Sequence, residues 1–537
     1  MRKLGLYSHY QSQRSFQFTL ARDFATVSGF MRFIHLAKVL AVSVSTVLPG
    51  TWAAPIPAQP ATDIRPATKD DPNGDANPFN LTQVEEKLFF MAYTDKGPAL
   101  YVRDIANTEV DGSPVIEMVG KKLRPKVAKS FKKTQEFDEQ CVGAYIEGIG
   151  STRSVTLNGG LYFHVPGFGL YTSRGTRRTT KLIAKVDKKD EPQNWMTDLI
   201  FVPDSGGTTY QLIFAALDKD KGREVFTVRD KDEDPLHPPV FDKKDVRLLA
   251  DVLIGEASSN PMEIVSFTNQ VYFTAISTAT GVREIFLSED NGVPTPVSEN
   301  LGFAQGLATD GDSCVFAGPS TVQGETDLYA ATSTETVKLT TDGISPLHLT
   351  SSGIQYFFSG RMGMMGRELG NIGLGFTVGP VADINLGPGS SDPDQFLSIG
   401  GGTAFLTAFD GTARRLYRTS GFGVEEIRAN DGAALTVDAT HEKVEIYDTL
   451  YFTAKKAGES VPWLWRLESD LVSTTAVRVN TPAGFPVTGA KNLMEYKLNG
   501  GNRLYFSCDG SGTEFVTEDA EDKRFRPRGR ELWVTAE

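Results

Sequence analysis

Carboxylates recur in this sequence at one fixed place. Glu224, Glu284, Glu368 and Glu531 each follow an arginine at the start of an apolar segment ("GREVF", "VREIF", "GRELG", "GRELW"). Any of them could serve as an acid, a base or a metal ligand. A catalytic centre, however, needs a few unlike groups converging on one point, and a residue repeated in every unit points to every unit equally. These glutamates are therefore expected to be structural, strand-end carboxylates that tie down backbone amides. The same expectation covers Asp63, Asp251 and Asp383, which recur in "TDI", "ADV" and "ADI".

The remaining chemistry-bearing residues form no linear motif. "LDKDKGRE" offers Asp218, Asp220 and Glu224, the start of an oxygen-rich loop. It lacks the further acids and the closing bidentate Glu of a calcium site, so a solvated hairpin tip is expected. Past the N-terminal region the histidines are His164, His237, His348 and His441, and they show no metal-ligand spacing. No HExxH, CxxC pair, phosphate loop or nucleophile elbow occurs. Cys141, Cys314 and Cys508 are an odd, irregular set rather than a disulfide framework. Cys314 and Cys508 read as buried free thiols. The basic run 120–133 (Lys121, Lys122, Arg124, Lys126, Lys129, Lys132, Lys133) precedes Glu136, Asp138 and Glu139. It reads as a solvated loop, with docking of an anionic polymer as the alternative. Trp463 stands where other units carry the repeated Glu, and with Trp465 it is expected to pack between repeats, a carbohydrate platform being the alternative. No catalytic or metal residue and no cofactor is expected, and no binding residue is identified.

What positions these groups is a repeat. An aliphatic–aromatic–Phe pattern recurs nine times, with its third-position Phe at 90, 163, 214, 273, 316, 357, 405, 452 and 506. A second anchor follows most copies: Tyr101, Tyr171, Phe226, Phe286, Tyr329, Tyr417, Trp465 and Trp533, with Gly370 in its place in the sixth. Alternating segments flank the two anchors, and the turn pairs Asn158-Gly159, Asp310-Gly311 and Asn499-Gly500 suit tight hairpins. Four short antiparallel strands in each such unit predict an all-β propeller of eight or nine blades. The long interval between Phe90 and Phe163 leaves the number open. The stretch "ATDIRP" near the N-terminus matches the fourth-strand segments "LADVLI" and "VADINL". Residues 61–65 are therefore expected to pair with "ELWVTAE" and close the ring.

The phrases "LYFTA", "GRELWVT" and "VADINLGPGSSDPDQ" resemble the ELWxxDGT-repeat proteins, secreted bacterial β-propellers. The resemblance covers residues 62–537 and is eroded at the "DGT", of which "SEDNG" and "TSRGT" are the nearest remnants. It implies a propeller and says little about activity, since members mostly lack a known one.

A net charge of −12 over 537 residues argues against a general nucleic-acid binder. From Met31 a basic start, an apolar run Val39–Leu48 and small residues up to Ala53 have the order of a secretory signal. The apolar run is too short to span a bilayer. Residues 1–30 read as a long n-region or an upstream start. The expected organisation is a removed segment 1–53 and a single propeller domain 54–537 with a basic insertion around 104–150. The expected product is exported, without a membrane span, and monomeric. The function expected on these grounds is a non-catalytic binding module for an extracellular protein or glycan. The alternative is a propeller enzyme acting on polysaccharide, a lyase or glycosidase.

Overall fold

The computed structural model describes residues 59–62 and most of 78–536; the longer stretches outside it are 1–58, 63–77, 119–160, 185–196, 230–240 and 510–529. The leader, Cys141, His237, Asp63 and the basic run 120–133 thus lie outside the described residues. Among those described, strands dominate and the only helical turns are the 3₁₀ segments Gly363–Met365 and Leu374–Phe376.

Nine sheets follow one another along the chain as nine propeller blades. Their pairing is antiparallel, apart from the short parallel contact of Arg428–Ala429 with Thr475–Arg478. In the described residues the blades span 79–118, 161–184, 197–250, 262–296, 305–338, 347–382, 394–426, 428–478 and 491–536. The unit in the long interval after Phe90 is a true blade, seen as the strands Leu161–Val165, Gly169–Ser173 and Lys181–Ala184. Part of the span 104–150 also belongs to a blade. Strand Gly97–Thr108 runs into it, and Pro114–Met118 is the outer strand of blade 1. Among the described residues, first strands of successive blades neighbour one another from blade 3 through blade 9 to blade 1.

The aromatic repeat has a packing cause. In seven blades the two anchors are cross-strand partners: Phe90–Tyr101, Phe163–Tyr171, Phe214–Phe226, Phe273–Phe286, Phe316–Tyr329, Phe452–Trp465 and Phe506–Trp533. Several pairs stack, with ring centroids 5.6 Å apart for Phe90–Tyr101 and 5.9 Å for Phe273–Phe286. Such pairs add to the area term of burial. Phe273 and Phe286 pack on blade 3, Phe316 and Tyr329 on blade 4, Phe506 and Trp533 on blade 8. Each of these pairs faces the preceding blade.

In blades 6 and 7 the frame slips by one residue from the sequence expectation. Phe358, not Phe357, faces the preceding blade and lies opposite Gly370, and Leu406, not Phe405, lies opposite Tyr417. The space beside Gly370 is filled by Met362 and Phe358: a Cβ there would stand 2.2 Å from Met362 Cε and 2.4 Å from the Phe358 ring.

Closure by the termini is present. Strand Gln59–Thr62 lies antiparallel to Arg530–Ala536, with Gln59 opposite Val534 and Pro60 opposite Trp533; it shares residues 61 and 62 with the expected stretch, whose remainder, 63–65, lies outside the described residues. A proline is tolerated here because the strand is an edge. Leu88, Phe90 and Tyr101 of blade 1 pack with Tyr505, Leu532 and Val534 of blade 9, so the core also continues across this seam.

Candidate functional site

The Gly-Arg-Glu motif turns out to be architectural. Glu224 is fully buried and accepts hydrogen bonds from Val252 N (3.2 Å), Ser259 N (2.9 Å) and Ser259 Oγ (2.6 Å). Glu368 repeats this with Ile384 N (2.9 Å), Ser391 N (2.9 Å) and Ser391 Oγ (2.6 Å). Burial outweighs these bonds and raises both carboxyls above the ordinary value. The donors sit in the connector leading to the next blade. The glycine lets that connector approach, because Gly222 and Gly366 both adopt a positive φ that an L side chain rarely takes. A Cβ on Gly222 or Gly366 would stand 2.1 or 2.6 Å from a connector carbonyl oxygen. The arginine reaches the other way. Arg283 Nη1 donates to Asn260 O (2.9 Å) and Arg367 Nη1 to Ser345 O (2.6 Å), both in the connector preceding its own blade. Glu284 is buried and accepts from Thr280 Oγ1 at 3.0 Å.

The other sequence candidates separate in the same way. Asp251 pairs with Lys221 (2.9 Å) and Asp383 caps Gly387 N (3.1 Å). Asp218 accepts from Asp220 N (2.8 Å) at a hairpin tip, while Glu224 turns inward, so the three acids do not converge. No group of metal-ligating side chains occurs among the described residues. Trp465 is buried between blades 7 and 8 and donates Nε1–H to Ala454 O (3.1 Å). Trp463 packs beside the same cluster under the Arg478 guanidinium, 3.5 Å from its ring centroid. Cys314 and Cys508 are buried and form no disulfide.

One set of unlike groups does converge, where the first strands of blades 7 and 8 begin. A cavity of about 410 Å³ is lined by Gln395, Phe396, Leu397, His441, Glu442 and Lys443. Its blade 7 wall is shaped by a bulge between Asp394 and Leu397, with Gln395 at φ 49°. Equivalent register shifts occur in the first strands of blades 1, 4, 5, 6 and 9. A bulge adds a residue and re-aims side chains. Blade 8 has no such shift in its first-strand pairing. Lys443 there lies opposite Phe452, the anchor that faces the preceding blade.

The electrostatics of this cavity are specific. His441 Nδ1 stands 2.6 Å from Thr453 O. That oxygen can only accept, so Nδ1 carries the proton and Nε2 is a bare acceptor. Nε2 is buried with no hydrogen-bond partner among the described residues, as is Gln395 Oε1. Burial, with Lys443 nearby, holds the imidazole down to about 3. Asp394 is already engaged by Arg414 (2.5 Å) and Thr407, and Glu442 accepts Leu493 N (2.8 Å) from blade 9. Lys443 makes no salt bridge among the described residues, and burial holds its ammonium down to about 8. The arrangement brings one cation and two acceptors without hydrogen-bond partners among the described residues to one cavity, Gln395 from blade 7 and His441 and Lys443 from blade 8. Sequence reasoning treated His441 as isolated and passed over Gln395, Glu442 and Lys443. The available signal was a lysine breaking an apolar position of the aligned repeats.

No family model and no curated protein matches the chain. Solved structures do. A prolyl endopeptidase aligns with TM-score 0.38 and 10% identity over 81% of this chain and 54% of its own. A puromycin hydrolase gives TM-score 0.36 and 10% identity over 80% of this chain and 58% of its own. The β-propeller domain of the Trilobed protease from Pyrococcus furiosus gives TM-score 0.34 and 10% identity over 74% of this chain and 94% of its own. The chain thus spans little more than half the length of the first two, and the likeness is one of fold. The propellers found belong to peptide hydrolases. The expectation of a non-catalytic module for protein or glycan, and its polysaccharide-enzyme alternative, is corrected on that finding.

Proposed function

We propose that this chain is a peptidase-associated propeller, one that receives peptides at the mouth of its channel and serves a peptide-hydrolysing activity. The observation that carries the reading is the cavity between blades 7 and 8. Its ammonium and two unpaired acceptors complement the alternating C=O and N–H groups of a peptide. Its volume of about 410 Å³ is that of a small-ligand site. Peptide hydrolases are the proteins in which the similar propellers occur, and the cavity offers a place for a peptide on this chain. Export belongs to the same reading, supported by the signal-like order of Met31–Ala53. So does kinship with the ELWxxDGT-repeat proteins, supported by "GRELWVT" and its companions. None of the helical elements among the described residues is long and apolar enough to cross a membrane.

Equilibrium dialysis of the full chain against short peptides and against a cello-oligosaccharide tests the proposal. Saturable retention of peptide, reduced by substitution of Gln395 or Lys443, is expected. Retention of the oligosaccharide with no retention of any peptide would overturn it.

A further inference from the structure

The cavity's donors and acceptors narrow the ligand further than "peptide". Lys443 contributes a positive charge with no salt bridge among the described residues, and the nearby carboxylates are engaged elsewhere: Asp394 by Arg414 and Thr407, Glu442 by Leu493 N. A partly buried cation of this kind favours an anion in contact with it. Beside it, Gln395 Oε1 and His441 Nε2 can only accept, and both are buried without partners among the described residues. Unpaired buried acceptors cost stability until a donor reaches them. Two acceptors and the Glu442 carboxylate lining the same cavity disfavour a multiply charged, oxygen-rich anion such as phosphate, whose extra oxygens would face lone pairs. A singly charged carboxylate followed at once by N–H donors satisfies both halves of the cavity. The end of a peptide chain has that composition.

We infer that the cavity is a carboxylate subsite in which Lys443 takes the free C-terminal carboxylate of a peptide while Gln395 and His441 accept from its backbone N–H groups. Phe396 and Leu397 give the same cavity an apolar component for the terminal side chain. The inference rests on the peptide-handling reading above and adds which end of the peptide is held. A free small carboxylate offers Lys443 the same contact but no N–H donors, so the two sources are separable.

The test titrates the full chain by calorimetry with trialanine, trialanine C-terminal amide, acetate and inorganic phosphate. Trialanine should bind at least tenfold more tightly than its amide and than acetate. Lys443→Met should weaken trialanine at least tenfold and leave the amide unchanged. Trialanine should also protect Lys443 of the unsubstituted chain from reductive methylation, read by mass spectrometry, which holds even if the variant fails to fold. Equal affinity for acid and amide, or methylation of Lys443 unaffected by saturating peptide, would overturn this inference and leave the peptide-handling reading standing. Phosphate competing as well as trialanine would overturn it too. Failure of every peptide form to bind would bring down both.

Discussion

Removing the carboxylate of Glu224 should cost the ring several kcal/mol. The side chain is fully buried and accepts from two backbone amides and one hydroxyl, of Val252 and Ser259. Glu224→Ala leaves both amides without that acceptor, at about 1–3 kcal/mol each. The burial that raises the Glu224 carboxyl also means that its charge is held at a cost, which offsets part of the loss. A net destabilisation of about 3–4 kcal/mol is expected. Ser259→Ala alone should cost about 1 kcal/mol, and the double variant should show a coupling of about 1–2 kcal/mol. Urea unfolding followed by tryptophan fluorescence measures all three.

The pH dependence supplies an independent sign. Because the folded-state value lies above the unfolded 4.5, the folded chain binds this proton more readily between the two. The group's contribution to stability is therefore greatest below the unfolded value and declines as pH rises through the folded one. Glu224→Gln should flatten that decline. A Glu224→Ala loss below about 1 kcal/mol, or zero coupling to Ser259, would refute the account of the motif as a connector clamp.

Three further outcomes are expected. Cysteines at Gln59 and Val534, opposite each other across the closing strands, should crosslink on oxidation, whereas deletion of residues 54–66 should lower the urea midpoint; a crosslink that never forms would disprove the seam. His441, held neutral by burial at a value of about 3, should withdraw stability as pH falls from its ordinary 6.5 toward 3. His441→Gln should remove that part of the acid sensitivity seen by circular dichroism. Arg103 is buried over the Tyr505 ring, its guanidinium pKa is lowered by burial, and its Nε and Nη1 have no hydrogen-bond partners among the described residues. Arg103→Met should therefore leave thermal stability unchanged or raise it, and a loss of more than about 2 kcal/mol would contradict this.

The fold was legible because its determinant is periodic. The anchors recur in nearly every unit, and in seven blades they are cross-strand partners whose burial fixes their spacing. The frame slipped in blades 6 and 7; in blade 6 Phe358 and Met362 together occupy the space beside Gly370, where other units carry an aromatic. The closing strand was legible from "TDI" and its fourth-strand counterparts, and the pairing is seen over Gln59–Thr62. The candidate cavity could not be read in the same way. Gln395 comes from one blade and His441, Glu442 and Lys443 from the next, and the bulge at Gln395 that shapes the wall leaves no mark in composition. Repeats show what all blades share, whereas a site lies where one blade differs.

The Gly-Arg-Glu clamp also bears on how the ring fails. The connector 258–260 is held by Glu224 of blade 3 on one side and by Arg283 of blade 4 on the other. Every connector gripped in this manner belongs to two blades at once, so melting one blade loosens the strand entry of its successor. Repeat arrays joined only by apolar contact can unravel unit by unit from an end. A ring hooped in this way, and fastened where its ends meet, has no end from which to begin. Its unfolding should therefore be a single cooperative event across nine blades, with amide exchange in blade 5 as slow as in the blades beside the seam.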